Sequence, residues 1–303
     1  MIIIRIAGGL GNQMQEYAMY RKLQKLGKEV KLDLGWFDKS VQEKMLAPRD
    51  CELYYFKNVK MDLCTDEEKA RFLNRSLASK VIGKLIPASS RIWEESSIYH
   101  PEVFDFKDKY LNGFFLSNKY YADILDELAD EFVFPEHSDP EGQRANEELM
   151  REMESRPSCS VHLRRGDYLT EPQNFALFGN ISTDAYYKAA MDYVAEKDPD
   201  VHFYIFSNDP DYCKEVYSDK ARYTIVTGNS GKDSLLDMQL MTKCKYNICA
   251  NSTFSFWGAR LNRRADKVMI RTFKMRNNQE AIPEELHDLW KGWILIDENG
   301  NLR

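Results

Sequence analysis

The residues best suited to chemistry stand in three short stretches, each where an apolar run gives way to a turn. The first is His162-Leu163-Arg164-Arg165-Gly166-Asp167-Tyr168. Two adjacent arginines at a strand exit suit an anionic ligand, because a guanidinium stays charged and can fork onto phosphate oxygens. Gly166 permits a turn that other residues disfavour, and Asp167 could lock one arginine in place. The plainer reading is a surface ion pair at a strand end. The second is Ala250-Asn251-Ser252-Thr253-Phe254-Ser255-Phe256-Trp257-Gly258-Ala259, where a strand passes into a helix. Backbone N–H groups at such a helix start face outward and favour an anion. The plainer reading is N-capping by Ser252 or Thr253, with Phe254, Phe256 and Trp257 in the core.

The third stretch, Gly8-Gly9-Leu10-Gly11-Asn12-Gln13, allows a ligand close to the backbone and offers directional amides. Gly9 and Gly11 have the spacing of a dinucleotide fingerprint, and Asp33 falls near the end of the next strand. Met14, however, stands where the third glycine belongs. A tight turn alone is the plainer reading. Phe206-Ser207-Asn208-Asp209 follows another strand and could line the same crevice. Asp237 interrupts an apolar helical pattern, and a carboxylate there is either partnered or turned outward. The sequons at Asn74, Asn180 and Asn251 read as chance matches.

Positioning these groups requires alternating strands and helices. Residues 1–6 form a β-branched run, a helix starts near Asn12, and Gly27 is a plausible cap before a strand over 30–34. Met19, Leu23 and Leu26 make one helical stripe, with Met14, Tyr17 and Ala18 on the other side, so this helix is buried at its start. A strand is expected over 110–116. A helix follows it, carrying Tyr121, Ile124, Leu125, Leu128 and Phe132 on one face. The charged, proline-flanked stretch 135–157 is the expected boundary between domains 1–150 and 151–303. Beyond it, strands are expected over 158–163, 201–207, 223–226, 246–250 and 267–270. Helices over 183–197, 209–217, 234–244 and 254–262 alternate with them. That alternation predicts an α/β fold with a parallel, doubly wound sheet, whose ligands bind at the carboxyl ends of the strands.

Composition narrows the class. A chain of 303 residues with 43% hydrophobic and 13% aromatic content can bury real cores. A net charge of -6 argues against nucleic acid as the main partner. The six cysteines show no C-x-x-C pair and no clustering with the five histidines, so no metal site is expected and the thiols read as structural. No apolar run approaches the roughly 20 residues that span a membrane. A cytoplasmic protein is the expectation.

Taken in order, these motifs resemble those of the family 11 glycosyltransferases, the α-1,2-fucosyltransferases. The resemblance also takes in Tyr110-Leu111-Asn112-Gly113-Phe114-Phe115-Leu116-Ser117-Asn118-Lys119-Tyr120-Tyr121 and the stretch 237–261, and it is poorest over 38–98. It implies a GT-B-like fold, with two Rossmann-like halves whose parallel sheets face a central cleft. The N-terminal half would take the acceptor and the C-terminal half GDP-fucose. It implies inverting transfer of fucose to a galactose-terminated glycan, with GDP-fucose as co-substrate and no metal cofactor. By motif match, Arg164 would contact the β-phosphate and Arg165 would assist. His162 and Asp237 would hold the guanine nucleotide, with Asn251, Ser252 and Thr253 near the phosphates. Asn208 and Ser255 would join this substrate-binding set, and Gly11, Asn12 and Gln13 would reach in from the other half. Asp167 would orient an arginine. Glu16, where bacterial relatives commonly carry Gln, could touch the acceptor or act as its base; a helix-surface acid is the plainer reading. Phe256 stands where Trp is usual. An NAD-dependent oxidoreductase or epimerase, or a non-catalytic sugar-nucleotide-binding protein, are the competing readings. Neither the acceptor glycan nor the oligomeric state follows from the sequence.

Overall fold

The computed structural model describes residues 1–45, 48–73, 91–96, 99–278 and 283–303, with the backbone alone for Asp167, Pro283 and Glu284. Asn74 and parts of the poorly matching segment 38–98 lie outside these residues. The chain divides into two compact units, Met1–Val133 and Phe134–Arg303.

The first unit holds strands β1 (Ile2–Arg5), β2 (Val30–Asp33), β3 (Ile92–Glu94) and β4 (Lys109–Asn112), ordered β2-β1-β4-β3. Every pair is parallel. The β-branched run Ile2-Ile3-Ile4 lies fully inside, as a central parallel strand requires. The helix Leu10–Lys25 follows β1 and is buried on most sides through Tyr20, as its two apolar faces foretold. Leu26, expected on the buried stripe, is exposed instead. The helix has ended at Lys25, and Gly27 turns the chain at a φ of 76°. Strand β4 stops at Asn112, short of the expected 116, because Phe115 adopts a φ of 47° that no strand can hold.

The second unit carries β5 (Ser158–Leu163), β6 (His202–Ser207), β7 (Tyr223–Ile225), β8 (Tyr246–Cys249), β9 (Val268–Thr272) and β10 (Trp293–Ile296). Their order is β10-β9-β8-β5-β6-β7, again all parallel. The chain steps outward from β5 through β6 to β7, then crosses to β8 and steps outward on the other side. That is the doubly wound Rossmann order, and its switch point lies between β5 and β8. Strand β10 was not among the expected elements. Both halves are thus α/β with a parallel sheet.

The division falls at Val133, earlier than the expected 150/151. The helix Pro140–Ser155 belongs with the second unit, since Met153 packs with Tyr204 and Phe206, and the Tyr204 hydroxyl donates to Glu152 Oε1 at 2.8 Å. All six cysteines are free; Cys159, Cys213, Cys244 and Cys249 are buried, while Cys51 and Cys64 are partly exposed. Among the described residues, no helix is long and apolar enough to cross a membrane.

Arg271 is among the charges buried in the second unit. Arg271 in β9 is 1% exposed, its Nε donates to the Thr272 carbonyl at 2.8 Å, and Nη1 has no hydrogen-bond partner. Its guanidinium lies 3.9 Å from the Trp290 ring centre and 4.8 Å from that of Phe256. Burial, with Arg260 beside it, brings its pKa down to about 9. Replacing a buried charge by a well-packed apolar group is often neutral or stabilising, whereas a cavity is not. Arg271→Met is therefore expected to hold or raise the melting temperature, and Arg271→Ala to cost about 2–4 kcal/mol in denaturant unfolding.

Candidate functional site

The exits of β5 and β8 flank the switch point, where ligands of this sheet type bind. Leaving β5, the chain presents Arg164 and Arg165 in succession. Gly166 then turns it at a φ of 37°, and a Cβ at this glycine would come within 2.3 Å of Asn208 Nδ2. From the neighbouring β6 exit, Asn208 Oδ1 accepts the Arg165 N–H at 3.0 Å and Asp209 Oδ2 accepts Arg165 Nε at 3.2 Å. Asp209 Oδ1 also accepts the Tyr212 N–H at 3.3 Å, capping the helix Pro210–Val216. Tyr212 then carries the Arg165 guanidinium 3.4 Å from its ring centre. Arg164 lies over a second tyrosine, 5.1 Å from the centre of Tyr168.

Asp209 thus locks Arg165, and Asp167, expected to orient one of the two arginines, opens the short helix Asp167–Thr170. The Arg165–Asp209 pair is partly exposed, so its worth lies in orientation more than in stability.

His162 is the penultimate residue of β5, which is buried throughout. It is 8% exposed, its ring centre is 5.8 Å from that of Phe254, and its Nδ1 has no hydrogen-bond partner. Burial, reinforced by the Arg164 charge, pushes its pKa down to about 3, so the ring is neutral and carries a spare nitrogen. Asp237 lies on the helix Leu235–Met241, and Asn229 Nδ2 donates to its Oδ1 at 2.8 Å. Burial outweighs that hydrogen bond and raises the carboxyl to about 7. Asn146 in turn holds Asn229, donating to its Oδ1 at 2.8 Å.

At the β8 exit the roles differ by residue. Asn251 is 1% exposed, and its Oδ1 accepts from Ser182 Oγ at 2.7 Å. Its Nδ2 donates to the carbonyls of Phe178 at 3.1 Å and Met275 at 3.3 Å. Its amide is committed to three loops, so it braces the site from behind. Ser255 Oγ turns back to the Ser252 carbonyl at 3.1 Å. Ser252 occupies the N-cap position of the helix Thr253–Arg260, but its hydroxyl makes no capping bond. Side-chain capping by Ser252, the plainer reading of this stretch, does not hold.

In the first unit, the glycine turn is stitched by polar side chains. Gln13 Nε2 donates to the carbonyls of Gly8 at 2.9 Å and Asp50 at 3.0 Å, while its Oε1 accepts the Glu52 N–H at 2.8 Å. Gly8 has a φ of 79°, and a Cβ there would come within 2.7 Å of Asn12 Nδ2. Gly11 is buried within the helix, whereas Asn12 keeps some exposure. Glu16 is 2% exposed and its Oε2 accepts the Ala7 N–H at 2.8 Å. Burial raises its pKa well above the usual range; Glu95 adds to this, while the Ala7 bond and Arg5 oppose it. It is an internal acid, where a helix-surface one was the plainer expectation.

Asp33, the residue behind the dinucleotide reading, is taken up elsewhere. It accepts from the Gly35 N–H at 2.9 Å, Tyr110 Oη at 2.7 Å and Lys69 Nζ at 3.0 Å. Both carboxylate oxygens are thus engaged by the first unit's own groups, which weakens Asp33 as the acidic anchor of the oxidoreductase reading. Among the described residues, no group of three or more His, Cys, Asp or Glu side chains could hold a metal ion. Sequence reasoning missed Asp209, Tyr212, Asn229 and Ser182 as supports. The only available signal was the position of Asp209 and Tyr212 just past a strand end.

The model of glycosyl transferase family 11 matches residues 70–297. The O-antigen biosynthesis glycosyltransferase WbnK of Escherichia coli is 30% identical over 289 residues, covering 88% of this chain and 91% of that protein. An alpha-1,2-colitosyltransferase of Escherichia coli is 28% identical over 284 residues, covering 86% and 87%. The galactoside alpha-(1,2)-fucosyltransferase 1 of Homo sapiens is 28% identical over 198 residues, covering 62% of this chain and 53% of that protein.

The glycine turn at the β5 exit gives a direct test. Gly166→Ala meets both a left-handed φ and the Asn208 amide, and is expected to cost about 1–3 kcal/mol. Circular-dichroism melts should show the loss, and the same melts should show Asn208→Ala relieving part of it in the double variant.

Proposed function

From membership of glycosyl transferase family 11, to which this chain belongs, we propose that it transfers L-fucose from GDP-fucose to the 2-hydroxyl of a terminal β-galactoside. The transfer inverts the anomeric centre, needs no metal ion, and acts on an oligosaccharide or surface glycan. One observation carries the reading: two guanidiniums at the β5 exit stand at the switch point of a Rossmann-ordered sheet. Beside them is a helix start whose N-cap hydroxyl makes no capping bond. The α-1,2 linkage is in the names of two of the relatives and galactoside in the name of one, which supports the finer assignment.

In this reading the second unit takes the donor and the first the acceptor. The acceptor oxygen forms a bond to the fucose anomeric carbon as that carbon's bond to the β-phosphate oxygen breaks. The bonding pair leaves with GDP, and the acceptor hydroxyl gives up its proton. Arg164 meets the developing charge on the β-phosphate, Arg165 assists, and Ser252 and Thr253 at the helix start lie near the phosphates. His162, neutral, and Asp237 hold the guanine; a carboxylate matches the base's N–H donors. Gly11 and Asn12 edge the acceptor side. Glu16, at 2% exposure, is sealed from a sugar hydroxyl, so proton loss is read as late and assisted by solvent. The setting is read as cytoplasmic, which suits six free thiols.

GDP release from GDP-fucose, with and without lactose and in EDTA, tests the proposal. Release should be stimulated by acceptor, survive EDTA, and fall about 100- to 1000-fold in Arg164→Ala. No release with any β-galactoside would sink the donor or acceptor assignment. Acidity gives a second test. Guanine needs the ionised Asp237, so GDP affinity should be full above a pH of about 7 and decline as the pH drops through that value. Calorimetric titration of Asp237→Asn should show weaker binding without that decline.

A further inference from the structure

Arg164 is the residue on which the leaving group depends in that reading, and its surroundings include a built support. What lies against it is a ring. The Tyr168 ring, 5.1 Å from the Arg164 guanidinium carbon, is itself stacked on Phe178 with centres 4.7 Å apart and planes 16° from parallel. Arg276 lies over Phe178 at 5.9 Å, a cation against the second ring of the stacked pair. The position of the pair is itself built in. Phe178 ends the helix Pro172–Phe178, and its carbonyl accepts from Asn251 Nδ2 at 3.1 Å. Asn277 holds the same turn: its N–H donates to the Leu177 carbonyl at 2.8 Å and its Nδ2 to the Gly179 carbonyl at 2.9 Å.

A chain of support therefore runs from the β8 and β9 exits into Phe178, from Phe178 into Tyr168, and from Tyr168 to the β5-exit arginine. The mode of support matters chemically. A carboxylate holds a guanidinium by its N–H edge, the edge a diphosphate needs. An aromatic face attracts the cation through its π-cloud and takes up none of that edge. We infer that Tyr168, backed by Phe178 and braced through Asn251, is the positioning residue that holds Arg164 for the leaving diphosphate. This rests on the donor reading given above.

The test is a double-mutant cycle on GDP affinity, measured by calorimetry and paired with transfer kinetics. Tyr168→Phe keeps the ring and should stay within about twofold of wild type in both. Tyr168→Leu, or Tyr168→Met where bulk must be kept, should weaken GDP binding roughly 5- to 30-fold, the range of a cation–π contact. It should lower kcat while leaving the KM for acceptor unchanged. In an Arg164→Ala background the same Tyr168 substitution should add less than about twofold, since the ring then has no charge to seat. An equal loss in both backgrounds overturns the inference, as does a Tyr168→Leu protein that binds GDP like wild type. A wild-type protein that binds no GDP overturns this inference and the donor reading together. Normal wild-type binding, weakened in Arg164→Ala, with an additive cycle overturns this inference alone.

Discussion

Two positive charges on adjacent residues must be kept still, and the side chains around them in the second unit are arranged accordingly. Side by side at one strand exit, Arg164 and Arg165 repel each other and carry long, flexible stems. Each is seated against a tyrosine, Tyr168 for one and Tyr212 for the other. The neighbouring strand exits supply the rest. Asn208 and Asp209 come from β6, Asn251 from β8, and the loop holding Asn277 from β9. A doubly wound sheet places these four exits side by side, so the topology is what lets residues over 100 positions apart share one task.

The first unit meets a different constraint. Its glycine turn leaves backbone groups inside, and buried backbone donors and acceptors need partners. Gln13 and Glu16 provide them, bonding to Gly8, Asp50, Glu52 and Ala7. Residue types that look ready for a ligand are used here to close a loop. Asp33 is a parallel case, committed to Lys69, Tyr110 and the Gly35 amide.

What could be read from sequence was the local, periodic part. The β5 boundaries matched to the residue, because Pro157 marks its start and the Arg164-Arg165-Gly166 turn its end. The short strands β3 and β10 carry Trp93 and Trp293 and lack a clean alternation, so they were not anticipated. The place of Arg164 and Arg165 at a strand exit was legible because the end of β5 was. The direction in which Asn251 or Gln13 points depends on context. It is set by loops such as Ser182, Met275 and Asp50, far away in sequence. For the same reason, the carboxylate that the sheet brings to Arg165, Asp209, lies 44 residues on and had no local signal.

The distribution of cysteines has a practical consequence. All four buried thiols belong to the second unit, and the two with some exposure, Cys51 and Cys64, belong to the first. Both of these are held as thiols, with burial lifting each to about 11, so their reactivity is slow and grows with alkalinity. A maleimide dye or spin label added to the native protein therefore marks one half only. The chain carries its own pair of attachment points for spectroscopy, and these report on the first unit without any cysteine being removed from the second.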